Sequence, residues 1–299
     1  MAFRNLFVVN NAYVCTKHEQ LLVKTDQEHS FPIEDINAVL LESQQITITT
    51  AAMAKLAQYG VALFVCDEKH LPCGVLHSMA QHSRERKWIG LQISQDKPKQ
   101  KRLWQQIVKA KILNQGRCLT LCDIEGEAKL KAIAREVLSG DTGNAEGVAA
   151  GYYFKRLFGK TFTRDQECLQ NAALNYGYAI VRGVIARTLA VYGYVPALGL
   201  HHRSELNAFN LADDLIEPLR PLVDLYVAKN ISEGEGNLTS DIKHGLFGLL
   251  NMEMESDGEK HIVSYAADRM VQSLGRCFEG TEKQLVLPEL IGLVTHTYD

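Results

Sequence analysis

The sequence predicts an α+β protein in which a small β-rich domain precedes a larger all-α domain. Up to about residue 80, short β-branched or apolar runs are bounded by polar and turn-forming residues, as strands require. After that point apolar residues recur at spacings of three and four, which is typical of helices. Because 299 residues suffice for two modest domains, we expect domains at 1–80 and 81–299.

Each domain has a definite set of expected elements. In the first, strands are expected at 6–9, 21–23, 38–41, 46–49 and 61–66, with a helix at 50–59 that ends before Gly60. In the second, long helices are expected at 103–113, 128–138, 148–158 and 169–192. Shorter helices are expected at 206–218, 221–228, 242–252 and 265–274.

Composition limits the class of protein. Hydrophobic residues make up 46% and charged residues 22%, as in soluble globular proteins. No apolar run is long enough for a bilayer and no signal pattern is present, so we expect a cytoplasmic protein with no membrane partner. None of the seven cysteines forms a Cys-x-x-Cys pair, which argues against a zinc ribbon or a thioredoxin-like site.

Positive charge is concentrated in one stretch, although the formal net charge is -3. Two tryptophans, Trp88 and Trp104, are interleaved with the basic residues. The stretch is either a solvated helix face or a stripe that binds nucleic-acid phosphates. Between 81 and 117 only Glu85 and Asp96 are acidic, and the basic residues are Arg84, Arg86, Lys87, Lys97, Lys99, Lys101, Arg102, Lys109, Lys111 and Arg117.

The richest local sequence is a pair of histidines followed by a helix with two acids. His201 and His202 follow Pro196 and Gly199 and are therefore expected in a loop, whereas Asp214 and Glu217 share one helical face. Carboxylates and an imidazole at one place are stabilised by a bridging cation, and this donor set suits Mg²⁺ or Mn²⁺. The alternative is an exposed acidic helix without a metal.

A further acid, Glu146, precedes a segment rich in small residues. By itself it is an acid at a helix N-terminus, favoured by the helix dipole. Other catalytic signatures are missing from the sequence. Gly159-Lys160-Thr161 resembles the end of a phosphate-binding loop, but position 154 is Phe where that motif requires Gly. Neither His-Glu-x-x-His nor Gly-x-Ser-x-Gly occurs.

Taken in order, the motifs resemble a known family. They are the helix start at Glu146, Asn-Ala-Ala-Leu-Asn-Tyr-Gly-Tyr at 171–178, Leu-Gly-Leu-His-His at 198–202, and Phe-Asn-Leu-Ala-Asp-Asp-Leu-Ile-Glu-Pro-Leu-Arg-Pro at 209–221. The combination is similar to the universal CRISPR-associated nuclease/integrase of spacer acquisition, in the variant found beside type II systems. The resemblance covers nearly the whole chain.

The resemblance implies a reaction and a set of residues. The reaction would be metal-dependent insertion of captured DNA fragments into a CRISPR array by phosphoryl transfer. Glu146, His202 and Glu217 would be the catalytic metal ligands for Mg²⁺ or Mn²⁺, Asp214 an additional acid, and His201 a variable position. Independently of the resemblance, the charge of the basic stretch predicts that DNA phosphates are bound by its residues Arg84, Arg86, Lys87, Lys99, Lys101 and Arg102.

The resemblance also implies partners. The family forms a homodimer, usually through the β-rich domains, and assembles with double-stranded DNA and a small second CRISPR adaptation protein into a heterohexamer. The sequence does not fix whether a type II effector and accessory proteins take part. Two other functions use the same residues: a stand-alone structure-selective nuclease for branched DNA in repair, and a non-catalytic DNA-binding scaffold. The basic stretch with its tryptophans argues against a metal hydrolase of small molecules.

Overall fold

A computed structural model describes residues 4–68, 70, 72–76, 85–232 and 236–296 of the chain. The expected domain boundary at residue 80 and the predicted DNA contact Arg84 lie outside these residues. No described helix has both the length and the apolar character needed to cross a membrane.

The N-terminal part contains two four-stranded sheets and one helix. Its elements are β1 (Arg4–Val8), β2 (Tyr13–Lys17), β3 (Gln20–Lys24), β4 (Glu28–Pro32), β5 (Ile36–Leu41), β6 (Thr47–Ile48), α1 (Thr50–Gln58), β7 (Ala62–Cys66) and β8 (Pro72–Leu76). The sheet orders are β1-β5-β7-β8 and β4-β3-β2-β6. Strands β2, β4 and β8 were not predicted, since their residues are too polar or too exposed to form an apolar run.

The remaining chain is mostly helical, so the predicted α+β class is confirmed. Its helices are α2 (Glu85–Ser94), α3 (Lys97–Leu121), α4 (Glu127–Arg135), α5 (Ala145–Leu157), α6 (Leu169–Val191), α7 (Asn210–Leu215), α8 (Arg220–Asn230), α9 (Ser240–Gly248) and α10 (Val263–Glu279). A three-stranded sheet was not predicted and qualifies the description of this part as all-α. It consists of β9 (Met252–Ser256), β10 (Glu259–Ile262) and β11 (Glu289–Thr295), in the order β10-β9-β11.

The β1-β5-β7-β8 sheet of the N-terminal part shares an apolar core with the helices. Phe64 of β7 packs so closely on α6 that a Cβ atom at Gly183 would lie 2.1 Å from its ring. Ala38 and Leu40 of β5 belong to the same buried cluster as the helices. Glycine in the middle of α6 therefore permits the close approach of the sheet, at the usual cost in helix propensity.

The long helix α3 runs through the centre of the helical part and packs on α4, α5, α8 and the 3₁₀ turn Glu217–Leu219. It begins at Lys97, where the Asp96 carboxylate accepts a hydrogen bond from the backbone N–H of Lys99 at 2.7 Å. The helix expected at 206–218 begins only at Asn210. The Asn210 amide holds the preceding loop by donating to the carbonyls of Ala197 and Ser204.

Candidate functional site

Two of the predicted ligands meet at a buried lysine. The ammonium Nζ of Lys111 on α3 lies 2.5 Å from Glu146 Oε1 and 2.5 Å from Glu217 Oε2. The Lys111 side chain is only 11% exposed and that of Glu217 only 5%. The two carboxylates, which are 71 positions apart in sequence, thus face one cation-sized position at the edge of the core.

Glu146 is placed by the start of α5. Asn144, at the N-cap position, adopts a left-handed conformation with φ of 53°. The Asp141 carboxylate then accepts hydrogen bonds from the backbone N–H groups of Ala145 and Glu146, at 2.8 and 3.0 Å. These bonds satisfy the free N–H groups of the first turn and fix the backbone from which Glu146 projects.

Glu217 is placed by the 3₁₀ turn between α7 and α8. Its Oε1 accepts a hydrogen bond from Arg220 Nε at 2.9 Å, and the Arg220 guanidinium lies over the Tyr178 ring. Burial alone would raise the pKa of Glu217, but the charges of Lys111 and Arg220 outweigh it and lower that pKa. Glu217 is therefore an ionised carboxylate in a buried place, and the alternative of an exposed acidic helix is wrong.

Asp214 organises the histidine loop. Its fully buried carboxylate accepts backbone hydrogen bonds from Leu200 at 2.5 Å and from His201 and His202 at 3.1 Å each. It also contacts Nδ1 of the His202 ring at 2.8 Å. Such close wrapping requires a glycine, because a Cβ at Gly199 would lie 2.3 Å from the His202 carbonyl oxygen and 2.9 Å from Asp214 Oδ2.

The bond to Asp214 sets the state of His202. It raises the pKa of the imidazole against the opposing effect of burial, and the nearby charges of Asp214, Glu217 and Asp213 act in the same direction. With Nδ1 directed at Asp214, the remaining ring nitrogen, Nε2, is the one left for another ligand.

His201 has a different environment. Its ring stacks on Trp104 of α3, with ring centroids 4.3 Å apart and planes 3° from parallel. Trp104 is 1% exposed, so His201 lies over an otherwise buried ring. The His202 ring meets the same tryptophan edge-on at 5.7 Å. The two adjacent histidines therefore have different surroundings: His201 packs on Trp104, whereas His202 is held by the Asp214 carboxylate.

The donor set fits a divalent cation. Glu217 Oε2 is buried and pairs with Lys111 without forming a well-directed hydrogen bond, so it keeps an acceptor that a metal can use. The position between the two carboxylates already holds a positive group. Within the described residues, however, no three His, Cys, Asp or Glu side chains lie close enough together to hold a metal ion. Among the described residues, Glu146 and Glu217 thus meet at Lys111, whereas His202 is held by Asp214.

The predicted DNA-binding residues are divided among different surfaces. Arg86 and Lys87 lie on α2, where Lys87 pairs with Glu279 of α10. Lys101 lines what we term the His201 groove, together with Lys97, Gln100, Trp104, His201 and Arg203. Lys99 and Arg102 line what we term the Lys109 groove, together with Gln106, Lys109, Lys283 and Gln284.

A third basic surface lies outside the basic stretch, and its Arg182 belongs to the alternative DNA path that the sequence suggests along Lys155, Arg156, Arg182 and Arg187. What we term the Arg220 groove is lined by Arg164, Asn175, Tyr178, Arg182, Asp213 and Arg220. Because Arg220 is hydrogen-bonded to Glu217, the Arg220 groove adjoins the cluster of acids, whereas the His201 groove adjoins His202 through His201. Their residues are distant in sequence, so no run of charge could indicate them.

Lys111 was counted among the basic residues but not assigned to the site. A signal for its role does exist in the sequence. Trp104, Val108, Lys111 and Gln115 follow one another at spacings of three and four, and all four are buried. A lysine on the buried face of a helix needs a carboxylate partner, since an unpaired charge is costly to bury.

Comparison with known proteins identifies the family of the chain. The family model described as CRISPR associated protein Cas1 matches residues 6–264. The CRISPR-associated endonuclease Cas1 of Neisseria meningitidis serogroup C is 43% identical over 304 aligned residues, covering 100% of both chains. A solved casposase bound to integration product has a TM-score of 0.77 at 18% identity, covering 96% of this chain and 93% of the other.

A further solved structure is similar over a part of its length. A chain of a Cas6-RT-Cas1–Cas2 complex has a TM-score of 0.73 at 19% identity, and the match covers 96% of this chain and 36% of that one. At such identities the two solved structures establish a common fold, whereas the family model and the Neisseria protein establish descent. The chain therefore belongs to the Cas1 family.

Proposed function

We propose that Glu146, His202 and Glu217 of this Cas1 protein hold a divalent metal ion at which DNA strands are cut and joined during spacer integration. The family gives the reaction class, a DNA endonuclease and integrase, and the family is metal-dependent. The observation that carries the assignment is the pair of 2.5 Å contacts by which Glu146 and Glu217 face one cationic group.

The metal would be held by one oxygen from each glutamate and by His202 Nε2, and it would polarise the phosphoryl oxygen and activate the attacking hydroxyl. Both Mg²⁺ and Mn²⁺ accept such oxygen ligands, and the imidazole favours Mn²⁺. Asp214 would act as the partner of a ligand rather than as a ligand, because its carboxylate is already occupied by three backbone N–H groups and by His202.

The protein's own residues would supply positioning and charge. Arg220, already bound to Glu217, lies where it can face the negative charge that develops on the transferring phosphate. The rigid His202 loop fixes the imidazole, so little reorganisation is needed when substrate binds. No covalent enzyme intermediate is required, because the 3′-hydroxyl of the incoming strand can attack the target phosphorus directly. A new P–O bond forms, the P–O bond to the 3′-oxygen of the target strand breaks, and that leaving oxygen takes up a proton in place of the one lost by the attacking hydroxyl.

The two grooves at the site provide paths for two strands. We infer that one strand follows Lys97, Lys101 and Arg203 in the His201 groove and the other follows Arg164, Arg182 and Arg220 in the Arg220 groove. Integration needs an attacking end and a target strand at one metal, and two basic grooves beside two of the proposed ligands, His202 and Glu217, match that need. Lys99 and Arg102, in the Lys109 groove, would contact duplex farther from the reaction.

Partners follow from the same proposal. Double-stranded DNA would be the substrate, and a Cas2-like small protein would join a homodimer of this chain in a heterohexamer, as the similar chain of the solved Cas6-RT-Cas1–Cas2 complex suggests. A scaffold without catalysis does not explain why Glu146 and the buried Glu217 face one cationic group. A stand-alone repair nuclease would use the same site, and the substrate decides between it and an integrase.

The experiment is a strand-transfer assay with the purified chain, with and without the small partner. A labelled DNA fragment and a supercoiled plasmid carrying the repeat are incubated with Mg²⁺, with Mn²⁺ or with a chelator. We expect joined product only with metal and preferentially at the repeat. Cleavage of branched DNA without any joined product would instead support the repair nuclease, and binding without any reaction would support the scaffold.

A further inference from the structure

The side chain of Lys111 has no place in the metal chemistry proposed above, yet it lies at the centre of the acidic cluster. Its Nζ contacts one oxygen of each glutamate at 2.5 Å. A divalent ion held by the same two oxygens would occupy the same position. The two cations therefore compete for one place.

We propose that Lys111 is an internal cation that holds Glu146 and Glu217 together in the metal-free protein and that a divalent metal displaces from between them. The inference rests on the proposed function, since it assumes that these glutamates bind the metal. It adds that the chain carries its own competitor for the site, and that metal affinity is set partly by the cost of moving this ammonium.

Burial explains why the site needs such a cation. The Lys111 side chain is 11% exposed and Glu217 is 5% exposed, so neither charge is well hydrated. Two facing carboxylates in such a place repel each other, and an ammonium between them removes both the repulsion and the unpaired charge. The lysine therefore keeps the metal-free site assembled, and without it the two acids would face each other with no cation between them.

The geometry also allows the ammonium to leave. A lysine side chain has four flexible methylene groups. The neighbouring Glu146 side chain is 28% exposed, so the cluster opens to solvent on one side. Arg220, which holds the other oxygen of Glu217, can remain in place while Lys111 moves. Displacement thus needs a change of rotamer in one side chain and no change in the fold.

Competition and a purely structural role predict opposite changes in metal affinity when Lys111 is replaced. If Lys111 only props up the site, its removal loosens the ligands and weakens metal binding. If Lys111 competes with the metal, replacement by the uncharged Met of similar length leaves two unneutralised acids and strengthens metal binding. We expect Lys111→Met to bind Mn²⁺ at least about tenfold more tightly, since a neighbouring charge typically shifts such equilibria by one or more powers of ten.

The experiment measures Mn²⁺ binding to the full chain by calorimetry and by the electron spin resonance signal of free Mn²⁺, without DNA. The variants are Lys111→Met, Lys111→Arg, which keeps the charge, and Lys109→Met, a matched control on the same helix that lines the Lys109 groove. We expect tighter binding for Lys111→Met alone. Equal or weaker binding by Lys111→Met than by the wild type would overturn the proposal.

Thermal unfolding with and without Mn²⁺ keeps the test decisive if Lys111→Met folds poorly. We expect this variant to be less stable than the wild type without metal and to gain more from Mn²⁺, because bound metal stabilises the native state. A smaller gain than in the wild type would count against the competition. Glu146→Gln separates the two proposals. If Mn²⁺ still binds to this variant, the proposed metal site itself is contradicted. If Mn²⁺ binding needs Glu146 but does not change with Lys111→Met, only the present inference is contradicted.

Discussion

The Asp214 carboxylate holds His202 twice, by the backbone N–H at 3.1 Å and by the ring Nδ1 at 2.8 Å. Since the backbone N–H groups of Leu200 and His201 bind the same carboxylate, one buried acid determines the shape of the loop and the orientation of the imidazole. Asp214 thus supports the proposed metal site by fixing this loop.

Replacing Asp214 with Ala should destabilise the protein and inactivate it together. The change leaves three backbone donors and an imidazole without their acceptor, and losses of this kind cost about 3–5 kcal/mol. Urea unfolding measures the stability, and strand transfer under native conditions measures the activity. The control is Glu205→Ala, at an exposed position in the same loop, which should change neither. An Asp214→Ala protein as stable as the wild type would contradict the proposal that Asp214 fixes this loop.

Replacing Glu146 with Gln tests the metal site with little change of shape. The proposed metal loses a charged ligand, so strand transfer should fall by at least about a hundredfold while DNA binding is retained. Product formation over time at saturating Mg²⁺ or Mn²⁺ gives the rate. Glu136→Gln, at the exposed end of α4, is the matched control. Full activity in Glu146→Gln, at equal purity, would remove this residue from the site.

The two histidines should respond differently. His202→Ala removes a proposed ligand and should lower strand transfer by orders of magnitude. His201→Ala removes the ring that stacks on Trp104, so it should cost some stability and much less activity. Tryptophan fluorescence reports the exposure of Trp104 in His201→Ala. Equal losses of activity in both variants would show that the division into packing and ligation is wrong.

Much of the fold followed from periodicity, but the site followed only in part. The helices α5, α6 and α10 were expected near their observed ranges, because long apolar repeats identify packed helices. The sheet of β9, β10 and β11 was missed, since its first strand reads Met-Glu-Met-Glu-Ser and has no β-branched residue. The Glu146–Lys111–Glu217 contact joins three distant segments, and local spacing carries no information about such a meeting.

Asp224 gives the protein a pH dependence that does not involve the metal ligands. Burial raises its pKa from 3.8 to about 6, against the opposing hydrogen bonds donated by Tyr178 and Tyr153. The native state therefore holds this proton more tightly than the unfolded chain does. Stability should fall as pH rises from about 4 to about 6, and the full penalty, about 3 kcal/mol, should be present above pH 6.

Asp224→Asn removes this penalty and keeps a polar partner for the two tyrosines. Urea unfolding between pH 4 and pH 7 should show that the wild type loses stability relative to the variant over this range. The matched control is Asp165→Asn, at an exposed position, which should follow the wild type. Parallel curves for the wild type and Asp224→Asn would mean that the pKa of Asp224 is the same in the native and the unfolded states.

The basic grooves can be tested by the salt dependence of DNA binding. Each phosphate contact releases counterions, so the loss of two contacts should flatten the slope of log affinity against log salt by about two units. We compare two double variants. One combines Lys101→Gln and Arg203→Gln in the His201 groove, and the other combines Lys99→Gln and Arg102→Gln in the Lys109 groove. Both double variants should flatten the slope, and both should weaken binding equally for all DNA sequences, because phosphate contacts do not read bases.

The rate at saturating DNA separates the two grooves. Only the His201 groove adjoins His202, so only Lys101→Gln with Arg203→Gln should also lower strand transfer once all protein is bound. The control is Lys24→Gln with Lys55→Gln, two exposed residues of the N-terminal part that pair with Glu28 and Glu19. If the slope of a groove variant equals that of the wild type, that groove is a solvated surface. If both groove variants behave so, the DNA must instead lie along Arg164, Arg182 and Arg220, where the corresponding substitutions should then flatten the slope.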